Sequence, residues 1–285
     1  MSNDLLKKLC NDDVELKSII ESIPKEKIDI ILNYSENTTD VLINIGKELL
    51  KTSDFLNAYF YFNYIYNKFT PSDFNKKAVI GTCYSYVCIM LNKLDEALKI
   101  TEEFLVEEKH YTKDLRYKLL FNNILAYKQK GDLDIVLDKI HYVESIFRLN
   151  EVHVFNILTL KANILKDKGY LINATKIHEV IFDSSHKIEN KLISLCNVFE
   201  ISIALKDCVN IKKYINKCEL MIEEYLKIPY KIYSPSIFYS IGLTYKFLND
   251  FEKAKKYFLH SIELSKEYKN FSIFTKCQNE LKNIK

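Results

Sequence analysis

Glycine and proline are scarce in this chain, with five and four among 285 residues. A β-rich fold needs many tight turns built from such residues, so their scarcity argues against a sandwich or barrel and for helices throughout. No run of about 18 apolar residues occurs, which leaves no candidate membrane span. Arginine is nearly missing too: only Arg116 and Arg148 stand among 41 basic residues. The bidentate reader of phosphate and guanine is therefore rare, and a net charge of +3 is too small for a nucleic-acid footprint. Direct DNA binding is not expected. The seven cysteines are odd in number and form no C-x-x-C pair, so they read as small hydrophobes in a reducing compartment. No phosphate loop can be built from the glycines, and no nucleophile with a base or pair of acids stands out. Neither an enzymatic activity nor a cofactor or metal is expected. The opening MSNDLLKKLCNDD lacks the apolar core of a secretion signal, which points to the cytoplasm.

Hydrophobic residues make up 48% of the chain and charged ones 28%, and their order is periodic. The stretch Ile241 to Leu264 reads IGLTYKFLNDFEKAKKYFLHSIEL, with Phe238 one turn before it. Gly242 inside a helix costs roughly 0.5–1 kcal/mol relative to alanine, which close approach of a neighbouring helix would justify. Ala254 is then the small partner on a second helix, with Phe238, Tyr245 and Phe258 filling the space between them. The same small column recurs at Ala58, Ala97, Val136, Ala174, Tyr214 and Ala254, spaced 39, 39, 38, 40 and 40 residues apart. Twelve residues before each stands Gly46, Ser85, Ile124, Ala162, Ser202 and Gly242, and three before each stands an apolar residue. Gly131 and Gly169 fall in the turns, while Gly81 has no place in this scheme. His178 shares the column of Phe62 and Phe258 and reads as a core histidine. His141 and Glu144, three apart, lack the further ligands a metal would need.

This pattern resembles the tetratricopeptide repeat, an aromatic followed by L-G-x-x-Y on one helix and A-x-x-x-F on the next, although its usual period is about 34 residues. The extra residues are assigned to longer second helices or longer links. The resemblance implies an all-α fold, a right-handed superhelical solenoid of about six helical hairpins over residues 39–285. Residues 1–38 form a short N-terminal helical segment, with Pro24 near the start of its second helix. The links fall near Pro71, Lys109 to Thr112, Asn150, Asp183 to Asn190, and Pro229 to Pro235. Ile273, Phe274, Cys277 and Leu281 share one face of a terminal capping helix.

Stacked hairpins of this kind curve, and their first helices line a concave groove. Side chains flanking the small column project into it: Tyr86, Phe121, Asn122 and Gln129 in the second and third hairpins, Asn156, Thr159 and Asn163 in the fourth, Phe199 and Glu200 in the fifth, and Tyr239 in the sixth. Asparagine amides suit a peptide backbone and the aromatic rings its side chains, while Glu200 suits a basic group. Degenerate repeats of near-40-residue period with groove asparagines resemble the cytosolic peptide-pheromone receptors of low-GC Gram-positive bacteria: Rap proteins, PlcR-type regulators and the arbitrium receptors of phages. That resemblance implies a regulator that binds a short peptide. The segment before residue 39 is too short for the family's DNA-binding domain or Rap-type bundle, so control of a protein partner is the expected output. A scaffold that holds a protein partner without any peptide is the alternative. Homodimers through terminal repeats are compatible with either reading.

Overall fold

A computed structural model describes residues 14–35, 37–68, 73–147, 150–228, 233–268 and 270–284. The predicted links around Pro71 and Pro229 lie outside these residues. Among the described residues there are fifteen α-helices and no strand. The chain divides into two compact units, residues 1–148 and 149–285.

The first unit opens with α1 (Val14–Glu21) and α2 (Lys25–Tyr34), followed by three hairpins: α3 (Thr38–Lys51) with α4 (Phe55–Lys68), α5 (Phe74–Met90) with α6 (Leu94–Val106), and α7 (Lys113–Lys130) with α8 (Leu133–Ile146). Leu16, Ile19, Ile20 and Ile23 of the N-terminal segment share a core with Val41, Leu42 and Ile65. The second unit holds α9 (Glu151–Asp167) with α10 (Leu171–Ser184), α11 (Ile188–Ala204) with α12 (Cys208–Tyr225), and α13 (Ser234–Phe247) with α14 (Phe251–Glu267). It closes with α15 (Phe271–Lys282), whose Cys277 is buried while Ile273 and Leu281 pack against the same core. Within each unit the first helix of a hairpin packs on the first helix of the next, the nearest-neighbour stacking of a repeat protein. The added period is shared: first helices α5, α7, α9 and α11 are 17 or 18 residues long, and of the second helices α12 has 18 and α14 has 17, as expected, while α4, α6, α8 and α10 have 13 or 14.

Four of the six first helices begin at side-chain caps: Asn37, Asp73, Thr112 and Asn150 each accept from a backbone N–H in the first turn. Hairpin turns are equally regular. Ser53, Asn92, Gly131, Gly169, Lys206 and Asn249 all have positive φ. In each turn the next residue's N–H returns to a carbonyl five residues back, as in Asp54 to Leu49 (3.1 Å), Asp207 to Ser202 (2.8 Å) and Asp250 to Tyr245 (3.0 Å), the Schellman closure.

These turns correct the fifth hairpin. In the other five the small-column residue follows the left-handed residue by five, as in Ser53 to Ala58 and Asn249 to Ala254. Lys206 therefore makes Ile211 the column residue, not Tyr214, and puts Phe199 in place of Ser202 beside Gly46 and Gly242.

The small column works by steric exclusion. A Cβ on Gly242 would stand 2.6 Å from Cε1 of Phe258, and one on Gly46 would strike the Phe62 ring. Gly81, unplaced from the sequence, meets Phe104 in the same way. All three rings are buried and have nowhere to retreat. Gly242→Ala should therefore lose about 1–3 kcal/mol to overpacking, more than the ~1 kcal/mol of helix propensity it gains. Combined with Phe258→Leu, it should cost less in urea denaturation than the sum of the single changes; strict additivity would contradict the packing argument.

Candidate peptide groove of the second unit

Helices α9, α11, α13 and α15 enclose a groove of about 1190 Å³. That exceeds the ~300–1,000 Å³ of small-molecule sites. Two register positions build its floor. Six residues before the close-packing column come Asn156, Ile193 and Ser236, and three before it come Thr159, Cys196 and Tyr239; all six line the groove. Positions three apart share a helix face, so each first helix presents its pair to the same side. Phe155, Leu243, Phe247 and Ile273 add apolar wall, and Asn190, Asn197 and Asn249 add amides.

Polar contacts between first helices fix the spacing of this floor. Lys166 of α9 pairs with Glu200 of α11 at 3.1 Å, and Lys246 of α13 with Glu280 of α15 at 2.6 Å. Ser240 Oγ donates to the Cys196 carbonyl at 3.4 Å, joining α13 to α11. Burial pushes the Cys196 thiol up to about 12, against the pull of the Ser240 hydrogen bond and with a push from Glu200, so it stays protonated and unreactive near neutrality. Burial likewise raises Tyr239, helped by Glu280 and Cys277.

Of the ten candidates, Asn156, Thr159, Glu200 and Tyr239 line this groove. Asn163, half-buried on α9, is not among the lining residues. Phe199 is fully buried in the core, where no ligand can touch it, because the turn at Lys206 places it in the close-packing column. The other four belong to the first unit. Asn122 is buried, and its amide donates to the Thr82 carbonyl and to Ser85 Oγ, both at 2.9 Å. Its donors tie α7 to α5 and are not available for a peptide backbone. Phe121 stacks on Tyr117 at 5.7 Å, Tyr86 meets Phe55 edge-on at 6.3 Å, and Gln129 is exposed near the end of α7.

Sequence reasoning missed Ile193, Cys196 and Asn197 through the register of the fifth hairpin. A signal for it was present: LKDCVNIKKY from Leu205 aligns with LNDFEKAKKY from Leu248, pairing Ile211 with Ala254 and Tyr214 with Tyr257.

Under the groove, His178 is fully buried on α10 and neither ring nitrogen has a hydrogen-bond partner. Burial, and then the charge of Lys166, pulls its pKa from 6.5 down to about 4. The unfolded chain thus takes up a proton that the folded chain refuses, and stability falls as pH drops from about 6.5 to about 4. The loss at the bottom of that window is on the order of 3 kcal/mol, at about 1.4 kcal/mol per pH unit. His178→Leu should flatten urea-denaturation stability over this window, and an unchanged slope would contradict the assignment.

The two units are thus arrays of helical hairpins, one of them with a concave, largely apolar groove. Residues 235–268, which hold α13 and α14, match the family model of the tetratricopeptide repeat. The fold is similar to that of NprR, solved in complex with its cognate peptide NprX, with a TM-score of 0.58 at 15% identity over 97% of this chain and 82% of that one. It is similar to the apo form of RapI, at 0.52 and 13% identity over 87% of this chain and 72% of that one. It also matches a chain of the APC/C hetero-tetramer Cut9–Hcn1, at 0.56 and 13% identity over 95% and 51%. No curated protein matches the chain by sequence. At these identities the likeness establishes a tetratricopeptide-type fold, shared with NprR and RapI. Among the described residues no helix is long and apolar enough to cross a membrane.

Proposed function

We propose that this chain is a non-enzymatic regulator whose second unit binds a short, extended peptide in its groove and thereby controls a protein partner. The groove itself carries the reading: apolar walls for side chains, with half-buried Asn156 and Asn197 amides set along adjacent helices for a backbone. Asn197 spends one amide hydrogen on the Ile193 carbonyl at 2.9 Å, and its remaining donor and its acceptor suit a peptide group. A ligand lying across α9, α11 and α13 touches three hairpins at once, so binding biases how they pack on one another. The peptide held by NprR in the same fold supports this reading. The Cut9–Hcn1 assembly supports the alternative, a scaffold that holds a protein without a peptide.

The test uses a hexapeptide selected from a random library, with affinity read by calorimetry. Asn156→Ala and Asn197→Ala should each weaken binding about fivefold, the loss of one hydrogen bond of ~1 kcal/mol, with melting temperature unchanged. Asn122→Ala should leave affinity intact and lower stability by about 1–3 kcal/mol. Unchanged affinity in both groove variants would remove the assignment, and failure to select any peptide would favour the scaffold.

A further inference from the structure

The charges of the groove specify the chemistry of its occupant, an inference that rests on the peptide-binding reading. Four of the lining residues carry a formal charge: Lys187, Glu200, Lys246 and Lys276. Glu200, the one acid, is matched by Lys166 at 3.1 Å. Lys246 is matched by Glu280 at 2.6 Å. Lys276 is exposed and stands four residues before Glu280, whose carboxylate is already held by Lys246. Lys187, also exposed, stands at the N-cap position of α11, where its side chain makes no capping bond. Counting the ion-pair partners and Glu151, whose carboxylate accepts from Ser185 and His186 at the start of α11, four lysines face three glutamates, and the surplus positive charge is carried by the exposed Lys187 and Lys276.

We infer that the groove selects an extended, largely apolar peptide of net negative charge, its carboxylates set against Lys187 and Lys276. The wall formed by Phe155, Ile193, Leu243, Phe247 and Ile273 takes the apolar side chains, while a basic peptide meets uncompensated like charge and is rejected. Acidic side chains and a free C-terminus supply the same carboxylate chemistry.

Four N-terminally acetylated hexapeptide pools separate these sources: C-terminally amidated with Asp and Glu, otherwise uncharged with a free C-terminal acid, uncharged and amidated, and amidated with Lys and Arg. Binding is read by native mass spectrometry at two salt concentrations. At least one carboxylate-bearing pool should bind about tenfold more tightly than the uncharged amidated pool, with the advantage shrinking in high salt, and the better pool identifies the source. Lys187→Glu and Lys276→Glu, both at exposed positions, should keep the melting temperature and lower this preference about tenfold. Equal binding of all pools, or preference for the basic one, would overturn the inference while leaving peptide binding intact. Binding of no pool would overturn both.

Discussion

Everything in this fold depends on the contact between a ring on one helix and the space left by a small residue on its partner. Phe258 sits where Gly242 has no Cβ, Phe62 sits on Gly46, and Phe104 on Gly81. Where the first helix carries a larger residue, the second gives way: Ser85 stands opposite Thr101, Ile124 opposite Ile140, and Ala162 opposite His178, every one of them buried. The members of the pair change from hairpin to hairpin while every pair stays buried. The degenerate look of the repeats follows from this freedom.

Once each hairpin is locked, hairpins are joined by polar bonds near their surfaces. Tyr66 donates to Glu103 at 2.7 Å and Tyr214 to Glu179 at 2.8 Å, each linking second helices of neighbouring hairpins. Lys213 and Lys253 reach Glu179 and Glu219 in the same way, both at 3.1 Å. Tyrosine suits this role, with an apolar body for the hairpin interface and a hydroxyl for the next repeat. In the second unit this stacking leaves the first helices to line an open groove, and the Lys166–Glu200 and Lys246–Glu280 pairs hold its floor from either side.

Fold class and five of the six hairpin registers were legible in the sequence, because small residues and turn residues recur at a period that local chemistry dictates. The fifth hairpin was misread because Ser202 and Tyr214 mimic the column three residues out of place; the positive φ of Lys206, carried by a residue that does not advertise a turn, decides the register. The groove positions were legible as offsets from the column, so one wrong register both buried Phe199 and hid Ile193, Cys196 and Asn197. Asn122 failed for another reason. Its partners, Thr82 and Ser85, lie about one repeat earlier, and no pattern along the chain distinguishes an asparagine that rivets two helices from one that awaits a ligand.

The most direct measurement places the ligand. A selected hexapeptide carrying a benzophenone side chain is irradiated on the protein, and the cross-linked residues are mapped by tandem mass spectrometry. The account predicts adducts on the lining positions of α9, α11, α13 and α15, among them Ile193, Asn197 and Leu243. Adducts confined to the first unit, or to the exposed faces of α10, α12 and α14, would contradict it.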